Sequence, residues 1–366
     1  MVRRFLYLNG LAITCVVLFH AAGMGFVAMF SWAHQYGGVP GEQVGSFTYF
    51  MLRFVEQIVI FSISAFLMVS GYFIGIATGR NQKTVSWRIV LSRVIYLAIP
   101  YLIWSGVALG LKFFEGNGVP RDKILIALLT GKTNEVYYFI PVLIQFYLIS
   151  PLLILWARAS WKSMLLTMGL IQLVISLSQY SLFLGNISGF WNDLVYFTPK
   201  WLFISRILWF PLGIILANKP VEFKRAFYPI RWWLLGIAIV LIPLGMVEWE
   251  YFVRASGEQW LSTRETLLDG IYGLCLIFGI LAFEKGKFPL FDSFSKLGTK
   301  SFGIYLTHVL VIEYIARIIY RFWPSILANQ TILQPLLIIT GLGLPLLLMW
   351  IVDHTPLRRF STYLFG

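Results

Sequence analysis

"GLAITCVVLFHAAG", residues 10–23, decides the fold. It sits inside a run from Phe5 to Trp32 that holds no Asp, Glu, Lys or Arg, yet it carries an imidazole, His20. A helix needs about 20 apolar residues to cross a hydrocarbon core of about 30 Å, and this run is longer. Arg3 and Arg4 ahead of it resemble the start of a secretory signal. The apolar run exceeds the 7–15 residues or so of a cleavable signal core, so it reads as a retained signal-anchor.

The pattern repeats along the chain. The protein is 58% hydrophobic with mean hydropathy +0.78, and only 12% of its residues are charged. A soluble domain carries about 25%. Lipid offers backbone groups no partners, so the spans are helices, and the alternating segments of a membrane barrel are absent. The expected fold is all-α, a polytopic membrane helix bundle. Ten spans are expected, at 5–32, 50–78, 94–114, 136–157, 163–184, 200–218, 232–251, 266–283, 301–322 and 332–352. No linker or repeat divides them, so residues 1–366 read as one domain.

The formal charge of +13 does not point to nucleic acid, because the basic residues fall in short loops between apolar spans. With the amino terminus inside, 18 of the 29 Lys and Arg lie on the inner side, against four of the 16 Asp and Glu. That bias predicts both termini in the cytoplasm and residence in the cytoplasmic membrane. Residues 115–135 hold an apolar run too short to cross, a candidate interfacial or re-entrant helix. Cys15 and Cys275 lie in apolar stretches and read as packing residues, with neither disulfide framework nor metal-ligand spacing. No metal is expected.

Ionisable residues at membrane depth are functional candidates by default. His20 is sixteen residues into its span. It is either a core histidine bonded to a neighbouring helix or a general base, since neutral imidazole accepts a proton near neutral pH. In "LGTKSFGIYLTH" (297–308), Ser301, Tyr305 and His308 share one helical face by their spacing. Glu313 and Arg317, four apart, read as an ion pair at the outer end. Arg80, Lys83, Arg88 and Arg93 cluster where a span begins, as a topology signal or as a site for a phosphorylated ligand. Gln145 lies deep enough to need a polar partner or a water-lined cavity. Arg206 reads as a snorkelling residue. These residues suit a transferase or a transporter. No phosphate-binding or dinucleotide-binding glycine motif is present.

The order of segments resembles the bacterial membrane acyltransferases of the acyltransferase 3 family. The stretches that carry it are "NGLAITCVVLFH" ending at His20, "FSISAFLMVSGYFIG" with Ser70 and Gly71, "SRVIYLAIPYLIW", "YYFIPVLIQFYLISPLL" with Tyr147, and "LGTKSFGIYLTH". The resemblance spans nearly the whole chain. It implies transfer of an acyl group, usually acetyl, from cytoplasmic acyl-CoA to a hydroxyl of an envelope carbohydrate or lipid-linked acceptor. It makes His20 catalytic, gives Arg88 and Arg93 to the CoA phosphates, and leaves Asn9, Ser70, Gln145, Tyr147, Tyr305 and His308 to line the substrate path. Two positions depart from the family pattern. Asn9 stands where an arginine is usual, and Tyr96 follows Arg93 where a second arginine is frequent; Arg3, Arg4 and Arg88 are candidates to substitute. An exporter or flippase of a glycan or lipid is the alternative reading.

Overall fold

The computed structural model describes residues 2–79, 81–184, 189–261, 265–283 and 288–366; Arg80, Arg264, Glu284, Lys285 and Lys287 lie outside them. The described residues form helices and turns without a strand. The principal helices are α1 (Val2–Met29), α2 (Phe47–Val59), α3 (Ser62–Ala77), α4 (Trp87–Phe114), α5 (Phe139–Leu184), α6 (Trp209–Asn218), α7 (Arg231–Ser256), α8 (Leu267–Ala282), α9 (Phe291–Thr299), α10 (Ser301–Phe322) and α11 (Gln330–Asp353). Among the described residues, seven apolar helical stretches are long enough to cross a membrane: α1, α2 with α3, α4, α5 to Ser181, α7, α10 and α11. The protein is therefore a multi-pass membrane protein.

Several expected spans differ from the observed helices. Spans 136–157 and 163–184 run together as α5, interrupted at Ser160 (φ −155°, ψ 85°). Its Oγ accepts from the Ser163 N–H at 3.4 Å, in the manner of an N-cap on the second half. The span at 266–283 is the sixteen-residue α8, about 24 Å long. At 200–218 the α-helical part, preceded by a 3₁₀ turn at Phe203–Arg206, is α6, ten residues and about 15 Å. The chain before it, from Trp201 to Leu208, has no α-helical ladder of its own.

That irregular stretch is held by two glutamines. Gln145 Nε2 donates to the Trp201 carbonyl at 3.0 Å and its Oε1 accepts from the Phe203 N–H at 3.1 Å. Gln172 Nε2 donates to the Ser205 carbonyl at 3.3 Å and its Oε1 accepts from the Leu208 N–H at 3.5 Å. Non-helical backbone survives at membrane depth only where protein satisfies it. The polar partner that Gln145 requires is thus the chain itself. Replacing Gln145 by Leu leaves two backbone groups unbonded at about 1–3 kcal/mol each, and a lowered unfolding midpoint in detergent is the expected reading. An unchanged midpoint would show that the clamp is not needed.

The chain forms two compact units. The first comprises Met1–Ser62, Gln179–Ser188 and Ile230–Trp350. In it α1 packs against α2, α9 and α10, and α7 against α2 and α8. The contact of α1 with α9 is backbone on backbone. A Cβ on Gly10 would stand 1.8 Å from the Phe294 carbonyl oxygen, and one on Gly298 would stand 2.1 Å from that of Leu6. Only glycine permits such an approach. Cys15, buried, and Cys275 are free thiols in apolar helices.

The second unit comprises Ile63–Ser178, Gly189–Pro229 and Ile351–Gly366. Its core stacks Phe146 on Phe210, centroids 4.9 Å apart, with Tyr147 edge-on to Phe210. The segment 115–135 contains the short helix Ile124–Thr130, whose Leu125, Ile126 and Leu129 are exposed, as an interfacial helix requires. Arg206 departs from the snorkelling expectation. It is buried at 7% exposure, with its guanidinium 5.3 Å from the Tyr138 ring. A cation lying on an aromatic face does not need the interface.

Candidate active site

Four of the expected site residues, all in the first unit, come together where α1 meets α9 and α10. Asn9 reaches from α1 to the turn between α9 and α10, its Nδ2 donating to the Gly298 carbonyl at 2.8 Å and to Ser301 Oγ at 2.7 Å. Ser301 in turn donates to the Gly298 carbonyl at 3.0 Å. An arginine in place of Asn9 would have to leave this short bridge. Arg3 is engaged with Asp292 at 2.6 Å, and Arg4 donates to the Leu281 carbonyl at 3.0 Å.

Two turns further along α10, His308 is fully enclosed. Its Nδ1 lies 3.0 Å from the Ile304 carbonyl and 2.8 Å from that of Tyr305. Both neighbours are acceptors, so the neutral ring carries its proton on Nδ1. Nε2 is then the lone-pair nitrogen, and it is buried without a hydrogen-bond partner. An orphaned buried acceptor is costly, and such atoms mark catalytic or ligand positions. The His20 ring lies 5.3 Å from the His308 ring, centroid to centroid, and the Tyr305 ring 5.8 Å from it. His20 packs edge-on against Phe19 and retains partial exposure. Two imidazoles and a phenol thus sit side by side within the spans of α1 and α10. The expected shared face of Ser301, Tyr305 and His308 is observed, all three buried. The pair Glu313–Arg317 forms at 2.5 Å.

The other expected site residues belong to the second unit. Tyr147 is buried, with Ser70 and Arg93 close enough to act on its hydroxyl. Arg88 and Arg93 are exposed on the first turns of α4. Gln145 is occupied with the 201–208 stretch, as above.

One polar cluster had escaped the reading by segments. Arg53 and Glu56 on α2 are 3% and 0% exposed, form an ion pair, and stand beside Gln57. Three polar residues within five positions of an otherwise apolar span were the available signal. Their position near a span end disguised it.

These features define a polytopic α-helical membrane protein with ionisable side chains enclosed at mid-span. The model of one family, described as an acyltransferase domain, matches residues 5–354. The chain belongs to that family, acyltransferase 3, and is an enzyme of the O-acyltransferase type. Among curated proteins it is similar to the "Probable poly-beta-1,6-N-acetyl-D-glucosamine export protein" of Staphylococcus aureus strains MSSA476, MRSA252 and MW2. Each is 23% identical over 270 residues, covering 71% of this chain and 71% of the relative. No solved structure matches.

Proposed function

We propose that the protein moves an acyl group, most simply acetyl, from acyl-CoA at the cytoplasmic side to a hydroxyl of an envelope carbohydrate or lipid-linked glycan, in the cytoplasmic membrane. The observation that carries this reading is the His20–His308 pair with its fixed tautomer and open Nε2. His20, the more accessible ring, takes the proton of the acceptor hydroxyl as that oxygen attacks the thioester carbonyl. The C–O bond forms, the C–S bond breaks, and the imidazolium returns its proton to the departing thiolate. His308 offers a second lone pair beside the developing imidazolium, and Tyr305 flanks it. Asn9 and Ser301 hold α1 and α10 in the register this needs. In the other unit Arg88 and Arg93 are assigned to the donor's phosphates, where guanidinium geometry suits them, with Tyr147 and Ser70 beside them.

Comparison of envelope glycans and lipids by mass spectrometry, with and without the gene, tests the reading. An acyl-sized mass difference on one glycan class, absent without the gene, is the expected result. The relatives' printed name makes N-acetylglucosamine polymers the first acceptor to inspect. The same name favours the second reading, glycan export. Glycan that reaches the surface unmodified, and only when the protein is present, would establish export in place of transfer.

A further inference from the structure

Neighbouring helices wall most of the turn of α1 that follows His20. Toward α11, the Ala21 carbonyl accepts from Gln334 Nε2 at 3.0 Å and the Gly25 carbonyl from Gln330 Nε2 at 3.3 Å. A Cβ on Gly25 would stand 2.6 Å from that Gln334 nitrogen. Toward α2, Ala22 and Phe26 are buried with Tyr49 and Leu52. Toward α10, the His20 ring meets that of His308. One stripe stays uncovered. His20, Gly23, Met24 and Val27 are partly exposed, while Ala21, Ala22, Gly25 and Phe26 between them are buried. The uncovered positions are i, i+3, i+4 and i+7, a single helical face. Ser31, exposed just past the end of α1, continues the line.

At Gly23 the stripe is open: no atom of the described residues lies within 4 Å of the place a Cβ would take. Bare glycines occur on lipid-facing helices too. Gly236 of α7 is equally open, but the residues about it, Ile237, Ile239 and Val240, are large, apolar and exposed. The stripe on α1 begins instead at an imidazole. Ionisable side chains within spans face the bundle interior or a water-filled space, because lipid solvates them poorly. The face that His20 shares with Gly23 therefore belongs to a space that water reaches. Gly23 lies about 4.5 Å beyond His20 along the helix. A sugar that brings a hydroxyl to the imidazole from the side away from the amino terminus would rest its bulk at Gly23.

We propose that this stripe lines the approach of the acceptor glycan to His20, and that Gly23, having no side chain, sets the size of the sugar that can stand beside the imidazole. The role given to His20 rests on the transfer reading. The test uses the purified full-length protein in nanodiscs. Gly23→Cys is treated with a charged, lipid-impermeant thiol reagent, with and without a short N-acetylglucosamine oligosaccharide. Gly236→Cys and the unaltered protein, whose own cysteines set the background, are treated alongside. An extra label on Gly23→Cys, slowed by the oligosaccharide, is expected, and none on Gly236→Cys. In a transfer assay Gly23→Leu is expected to raise KM for the oligosaccharide about tenfold or more, the scale on which a fitted site rejects added methylenes. KM for acyl-CoA and the unfolding midpoint should not move. No extra label on Gly23→Cys, a label that the oligosaccharide does not slow, or an unaltered glycan KM in Gly23→Leu overturns the approach. So does a lowered midpoint in Gly23→Leu, which would place packed protein at the gap. Protected labelling without any acyl transfer would leave the approach standing and sink the enzymatic reading. Acyl transfer by a protein whose Gly23→Cys variant takes no label would do the reverse.

Discussion

Replacing His20 by Ala is expected to lower acyl transfer by about 10²–10⁴-fold, the range a positioned acid–base group contributes, with protein level and membrane insertion unaltered. The ring leaves little behind structurally, because it is partly exposed and its ring neighbours are Phe19, edge-on, and His308. His308→Ala discriminates further. If the two imidazoles act as a unit, 5.3 Å apart, the double variant is hardly worse than either single one, since coupled catalytic groups are strongly non-additive. Purified protein with acyl-CoA and a glycan acceptor, followed by product mass, provides the measurement. Transfer at the original rate by His20→Ala would end the general-base assignment. Independent losses that multiply would end the idea of a coupled pair.

The second large effect lies at Gly10. A valine there drives its Cβ into the Phe294 carbonyl, 1.8 Å away, and the neighbouring Gly298 nitrogen is only 3.0 Å off. Overpacking costs about 1–3 kcal/mol where side chains can yield. Here the obstacle is main chain on a helix bonded to α1 through Asn9, so the expected cost is about 3 kcal/mol or more. Gly23 on the same helix is the control, because an added Cβ meets nothing within 4 Å. Unfolding in detergent should show Gly10→Val strongly destabilised and Gly23→Ala close to the unaltered protein. Acyl transfer by Gly10→Val is expected to fall with stability, because α1 carries His20. Equal midpoints for the two variants would refute the close contact.

The membrane class was legible because lipid imposes one demand on every span, and the long uncharged runs of α1 and α11 meet it openly. The face of Ser301, Tyr305 and His308 was legible from helical spacing. Which helix it would meet was not, since spacing within one helix says nothing about its neighbour. That Asn9 bridges to Ser301, 292 positions away, could only come from the fold. The stretch 200–208 has the composition of a helix, and tertiary hydrogen bonds from two glutamines compensate for the missing ladder. Arg206 reads from the sequence as a boundary residue, and Arg53 stands near the start of a span. Aromatic faces at Tyr138 and Trp249 let each charge lie inside.

The glutamine clamp also constrains biogenesis. The Trp201–Leu208 stretch has only a 3₁₀ turn at Phe203–Arg206 to satisfy its own peptide groups, and each group left bare in the bilayer costs several kcal/mol. Its anchors, at 145 and 172, emerge from the ribosome first. Translation therefore delivers the scaffold before the piece that needs it.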